Sequence, residues 1–405
     1  RSAPAPPDPQ RTGIFYPRAA ALGGCTVHNA MITIAGPDSD WDDLANYLED
    51  DSWRSPAMRT YFQKLERNEY LPRPRPPATS WHCKLRDGFR WLIGKDVDHT
   101  GGRHGFDGWL HTSVLDLQLG LNDRQLIGVL RAALRQAKSA GLDRAWTWIR
   151  TILRGRASQA LDPNHATTQA ESPEGVVLIP LAVCGERTTI HEDRAEPNVR
   201  RGRRSGPRER LLAVREANPL LLEIRTDCLV TRVLFAEPDR DGSGDPASPP
   251  RVIGVEYLRG ERLYRAHVDP SGAAGKVERA FVKDGGEVVL CGGTFNTPQL
   301  LMLSGIGDAG RLAALAGGDP GLCALRDAES RPIAGPAGDP WRVDLRGVGC
   351  NLQDRYEVSL ISEMKAEFDL LKGATLGLNS WDPHLRQWRE EGAGLYSTNG
   401  AVLGI

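Results

Sequence analysis

The sequence has no uninterrupted apolar run long enough to cross a bilayer, so no integral membrane segment is expected. It has no excess charge of either sign: 51 Lys and Arg against 52 Asp and Glu leave −1. No global field therefore draws nucleic acid or an anionic membrane to the chain. The cysteines (Cys25, Cys83, Cys184, Cys228, Cys291, Cys323 and Cys350) are odd in number, and no two stand at CxxC spacing. That argues against a zinc ribbon and against a disulfide framework, and it favours a reducing compartment, taken here to be the cytoplasm. No internal repeat is visible. The proline-rich start, Arg1 to Arg11, lacks the apolar core of a signal peptide, and there is no initiating Met. The expectation is a chain that begins inside a longer gene product.

What is present is the composition of a globular protein, 40% apolar and 25% charged. At 405 residues the chain is too long for one ordinary core, so at least two domains are expected. Its most unusual stretch is Leu22-Gly23-Gly24-Cys25-Thr26-Val27-His28-Asn29-Ala30-Met31, followed by the apolar Ile32-Thr33-Ile34. Paired glycines allow positive φ and a close approach of backbone to a ligand. Cys25, Thr26, His28 and Asn29 add small polar or nucleophilic groups. These residues suit either an ordinary turn or a loop wrapped around a large cofactor.

Helical spacing predicts helices over Asp38–Glu49, with Asp38 or Ser39 as cap, over Ser52–Leu65, and over Asn122–Ala140, capped by Asn122 and stopped by Gly141. Val176–Leu181 reads as a strand. Arg200–Arg210 is a basic cluster, read as a solvated loop with anion binding as the alternative. Leu221–Ile224, Leu229–Leu234, Val252–Arg262 and Tyr264–Val268 have strand patterning and predict an antiparallel meander. Glu287–Leu290 reads as a short buried strand that runs through Cys291-Gly292-Gly293 into a helix, with Thr297 as N-cap and Pro298 at its first position. Such a helix N-terminus can face a phosphate, or the glycines can serve helix–strand packing alone. Ala316–Val343 reads as an unusually long Gly/Pro/Asp-rich connection. Beyond it lie Gly347-Val348-Gly349-Cys350-Asn351-Leu352-Gln353-Asp354, a strand over Tyr356–Ser362, a short helix over Trp381–Arg389, and a strand and turn over Gly394–Gly400.

Three of these stretches, in this order, resemble the signatures of the glucose–methanol–choline (GMC) oxidoreductases, flavoenzymes acting mostly on alcohols, and choline dehydrogenases among them. The first is Gly23-Gly24-Cys25-Thr26-Val27-His28-Asn29. The second comprises Gly293, Thr297-Pro298, Leu300-Leu301 and Ser304-Gly305-Ile306-Gly307. The third is Val348-Gly349 with Asn351-Leu352-Gln353-Asp354. Gly105-Phe106-Asp107-Gly108 and Asp162-Pro163-Asn164 are weaker matches.

The resemblance implies an α/β plus α+β fold. A Rossmann-like FAD-binding domain lacking its N-terminal βαβ unit (residues 1–50 and 208–316) would join an antiparallel-sheet substrate domain (51–207 and 344–405). It implies FAD held by Gly23, Gly24, Cys25, Thr26, His28, Asn29, Ala30 and Met31, with the Val230 backbone at the adenine. Choline-oxidising relatives link FAD covalently through the histidine in register with His28. Here hydrogen bonding by His28 is the favoured reading, and Cys25 is expected to be a small buried residue rather than a reactive thiol. The family's opening GxGxxG and its late catalytic histidine have no match in these residues. The expectation is a central section of an enzyme that oxidises a small-molecule alcohol, inactive alone. The alternative is a non-catalytic remnant or binding protein that keeps the middle of the fold.

Overall fold

The structure, a computed structural model, describes residues 16–71, 73–74, 101–114, 123–139, 162–171, 177–185, 201–237, 250–319, 321–335, 338–354, 361–376 and 379–400. The chain divides into two compact units, 1–222 with 362–405, and 223–361. The first unit thus joins the Gly-Gly stretch to most of the region expected to serve substrate.

In the first unit, α1 (Asp38–Leu48) packs on α2 (Ser55–Leu65) through an edge-to-face contact of Trp41 and Phe62, ring centroids 5.8 Å apart. Pro37, not Asp38 or Ser39, is the flanking residue of α1. Asp38 and Asp40 instead lie in its first turn, where they complement the helix dipole. Asp50 accepts the Ser52 N–H at 2.9 Å and closes a separate turn, Asp51–Trp53, so α2 starts three residues later than its periodicity predicts. β1 (Glu66–Asn68) pairs in parallel with β2 (Leu110–Val114), which pairs antiparallel with β3 (Pro180–Leu181). α3 (Arg124–Ser139) realises the expected amphipathic helix, with Asp123 Oδ1 accepting the Leu126 N–H at 2.9 Å. Asn122 and Gly141 lie outside the described residues. α4 (Ala166–Glu171) and α5 (Pro207–Ala217) follow.

The helix Pro383–Glu391 is capped by the buried Asp382, which accepts from the His384 and Leu385 N–H groups. Asp382 also accepts from the Tyr396 hydroxyl at 2.6 Å and the Thr375 N–H at 2.6 Å. On the same helix, the Trp388 indole N–H donates to Gly202 O at 2.6 Å, and the Arg203 guanidinium lies 5.7 Å from the Trp388 ring centroid. Gly394–Gly400 holds a 3-10 turn, Leu395–Ser397, rather than the expected strand. Most of the strand expected over Tyr356–Ser362 lies outside the described residues.

The second unit is built on an antiparallel meander, β4 (Cys228–Phe235), β5 (Val252–Arg259) and β6 (Lys276–Phe281), in that order. The meander is as expected in kind, but its third strand is β6. Tyr264–Val268 is turn, and so is the start of Leu221–Ile224, where Leu221 is 85% exposed. A register shift separates Val230 from Arg232 on β4.

Val233, Phe235, Leu325 and Ile333 form the core, with Val252, Leu290, Ile306, Trp341 and Val343 packed against it. The region expected as a connection, Ala316–Val343, supplies two of these core residues. It folds back on itself through Leu325 N–H to Trp341 O, Ile333 N–H to Leu325 O and Trp341 N–H to Ile333 O. Its polar composition hides four apolar residues, Leu325, Ile333, Trp341 and Val343, at the positions that matter.

Glu287–Leu290 is not a strand, and Val289 is 77% exposed. α6 (Gly293–Leu303) starts ahead of Pro298, which sits inside it. Thr297 is therefore inside the helix rather than its N-cap, which is Gly292, and its Oγ1 accepts the Gly292 N–H at 3.0 Å. Beyond α6, Ser304 is 1% exposed, and its Oγ donates to Leu300 O and accepts the Val233 N–H at 2.9 Å, tying helix to sheet. Gly305 has φ 83°, and a Cβ there would lie 2.5 Å from Ala324 C. α7 (Ala309–Ala316), capped by Asp308, leads away, and the parallel pair β7 (Ile306–Gly307) and β8 (Val343–Asp344) closes the unit. The second signature is therefore largely a packing device in this unit.

Candidate functional site

The Gly-Gly stretch forms a rigid turn in the first unit. Gly23 (φ 91°) and Gly24 (φ 58°) are left-handed, and Gly24–Val27 is one turn of 3-10 helix. The turn is fixed from within: Gly24 N–H donates to Ala21 O at 2.8 Å, Thr26 Oγ1 to Gly23 O at 2.6 Å and Asn29 N–H to Cys25 O at 3.0 Å. A Cβ on Gly23 would lie 2.9 Å from Arg208 Cβ, so glycine lets the turn rest on the start of α5. A Cβ on Gly24 would meet nothing within 4 Å, so that face of the turn is open.

Neighbouring segments take up the turn's carbonyls. Arg204 donates to Thr26 O at 2.9 Å, to Asn29 O at 2.8 Å and to Asn29 Oδ1 at 2.5 Å. Asn399 Nδ2 donates to Ala30 O at 2.9 Å, and Ala182 N–H to Met31 O at 2.8 Å. Asn29 Oδ1 also accepts the Met31 N–H at 3.1 Å, which holds Met31 at φ 62°. Ile32 then bridges Leu181, while Val183 bridges Arg204. Residues 181–183 thus lie between the segment leaving the turn and the segment that clamps it. Farther along, Asn164 accepts the Ala35 N–H at 2.9 Å and donates to Thr33 O at 2.8 Å.

With the carbonyls engaged on the protein side, Cys25, His28, Asn29 and Ala30 are exposed on the other. Cys25 is therefore not the buried residue the sequence led us to expect. The turn needs its side chain nowhere in its packing. The structure brings Gly23, Gly24, Cys25, Thr26, His28, Asn29, Ala30 and Met31 together on one turn. Val230 lies in the other unit, on β4 at the register shift, and is 38% exposed.

Three residues of the site escape a reading of the sequence. Arg204 belongs to the basic cluster read as a solvated loop, yet its guanidinium is partly buried and that burial lowers its pKa, with Glu209 opposing. A guanidinium remains charged in any case, and its fork of donors suits three acceptors at once. Asn164 was visible only as part of a weak motif. Asn399 carries no signal at all.

The residues fit a large polar cofactor: an open glycine face beside exposed polar side chains, on a backbone that is already rigid. Residues 188–357 match the family model described as GMC oxidoreductase. Over 388 residues the chain is 30% identical to oxygen-dependent choline dehydrogenase of Burkholderia multivorans, covering 96% of this chain and 45% of that protein. It is 34% identical over 137 residues to mitochondrial choline dehydrogenase of Homo sapiens, 34% of this chain and 15% of that protein. The chain spans less than half the length of these relatives. Among solved structures, an FAD-dependent oxidoreductase from Chaetomium thermophilum shares the fold, with TM-score 0.52 at 18% identity, over 95% of this chain and 48% of that one. The chain is thus similar to the GMC oxidoreductases and is choline dehydrogenase-like.

Proposed function

We propose that the chain is part of an FAD-dependent oxidoreductase that converts an alcohol to an aldehyde or ketone, and that the turn from Gly23 to Met31 lies along the flavin. The observation that carries this reading is the turn itself, open at Gly24 and braced from behind by Arg204. Bound FAD would accept a hydride from the alcohol carbon. The chain's share is to hold and orient it. Gly24 leaves room for close approach, Asn29 and the Ala30–Met31 backbone border the ring system, and His28 donates or accepts a hydrogen bond without a covalent link. The Val230 backbone would meet the adenine. Residues 1–50 and 208–316 would serve FAD, and 51–207 and 344–405 the substrate. Supporting the substrate class are the two choline dehydrogenases named above. A cytoplasmic site of action belongs to the same reading. Among the described residues no helix is long and apolar enough to cross a membrane.

On this reading the 405 residues alone hold FAD weakly and do not turn over. The purified chain should be colourless, and added FAD should show saturable fluorescence quenching that Ala30→Trp weakens by about tenfold or more. Ala30 is exposed, so the substitution fills the outer face without disturbing a core. Equal binding by the variant overturns the placement of the turn. A stoichiometric yellow product bleached by alcohol overturns the inactivity. Acid precipitation after incubation should leave all flavin in the supernatant, and flavin pelleting with the protein would mean a covalent bond.

A further inference from the structure

His104 is 5% exposed, and the reading above gives it no role. It lies between two carboxyl groups. Nδ1 is 2.8 Å from Glu66 Oε2 and 3.1 Å from Oε1, and Nε2 is 2.9 Å from Asp162 Oδ2, off the line of a good hydrogen bond. Asn68 cannot supply an alternative acceptor, because its Oδ1 already takes the Tyr70 and Leu71 N–H groups and turns Nδ2 toward Glu66 and the ring. A neutral imidazole has one N–H and would aim a lone pair at one of the carboxyl groups. The arrangement suits an imidazolium. Burial alone would lower the His104 pKa, but Asp162 and Glu66 together push it up to about 9.

Of the other ionisable groups nearby, the Arg59 and Arg103 guanidiniums oppose a charge on the ring, and the two carboxyl groups outweigh them. Tyr70 donates to Asp162 Oδ2 at 3.0 Å, and burial raises its own pKa. Arg59 of α2 lies in the fields of Glu66, Asp162 and Arg103, and His165 packs on Gly102. Asp162 leads outward from the ring. Its Oδ1 accepts the Asn164 N–H at 2.8 Å, and Arg59 donates to Asn164 O at 3.0 Å. The Asn164 side chain then bridges Thr33 O and Ala35 N–H on the segment that leaves the Gly23–Met31 turn.

We propose that His104 is a positioning residue: its charge, acting through Asp162 and Asn164, latches Thr33–Ala35 and with it the exit of the candidate cofactor turn, so that the turn loosens when the ring loses its proton. The consequence for ligand binding rests on the flavin reading; the latch does not. Hydrogen exchange of the Ala35 amide in the full chain, without flavin and corrected for chemical exchange, tests it. Protection should be level near neutral pH and fall about tenfold across a midpoint near pH 9. His104→Gln should flatten that profile, and Asn164→Ala should leave Ala35 poorly protected at every pH. A level wild-type profile, or an inflection that survives in either variant, overturns the proposal. So does an equal loss at the β5–β6 amides of the other unit, which would mark global alkaline unfolding. If His104→Gln does not fold, the wild-type and Asn164→Ala profiles decide alone. A latch observed without any FAD binding would sink the flavin reading and leave the latch standing.

Discussion

Arg204 joins three acceptors on the Gly23–Met31 turn from a position 178 residues away in sequence. The partners of such a side chain exist only after folding, which is why a basic cluster read as solvated hides a clamp. Arg204→Lys keeps the charge but loses the fork, and should raise proteolysis within residues 22–31 about as much as Arg204→Ala. Rescue by lysine would show that charge alone suffices. Ser304 satisfies a buried strand N–H, so Ser304→Ala should cost about 1–3 kcal/mol in denaturant unfolding. Gly305→Ala combines a left-handed φ with a Cβ 2.5 Å from Ala324 C, and should cost about 3 kcal/mol or more. A midpoint unchanged from wild type would refute either.

At the scale of elements, Asp382 caps one helix and gathers the preceding loop and Tyr396. Burial alone would raise its pKa, but the Tyr396 hydroxyl and the backbone N–H groups hold it well below the carboxylate range. Its stabilisation is present above the unfolded pKa of 3.8 and lost as pH falls through the folded one. Acid should therefore leave the Thr375 and Leu385 amides protected until the pH is well below the ordinary carboxylate range, and Asp382→Ala should expose them at neutral pH. Unchanged exchange there would count against the hub.

Elements with their own signal were legible: α1, α2 and α3 from helical spacing, β4 and β5 from apolar alternation. β6 was not, because Lys276-Val277-Glu278-Arg279-Ala280-Phe281 is a strand by virtue of pairing with β5, not by composition. Tyr264–Val268 shows the converse, strand-like residues that form a turn. The candidate turn could be located from its glycines and polar residues. Its clamps could not, since Asn164 and Asn399 act across long separations that no local pattern records.

For the whole molecule, the ionisable groups set a stability window. A His104 pKa raised from 6.5 to about 9 contributes about 3 kcal/mol, fully present below 6.5 and lost as pH rises through about 9. Thermal unfolding of the first unit should therefore fall on the alkaline side, and His104→Gln should lower it at neutral pH while flattening that slope. The core of the second unit, by contrast, rests on the apolar Val233, Phe235, Leu325 and Ile333.

Trp388 carries an optical consequence. Its indole donates to Gly202 O with Arg203 over the ring, and Arg204, the clamp of the turn, is the next residue. Indole emission responds to hydrogen bonding and to nearby cations, so the clamp segment carries its own fluorophore. The difference spectrum between wild type and Trp388→Phe isolates that colour from the protein's other tryptophans, and a change in it on adding flavin would register, without any label, that the turn's support has moved.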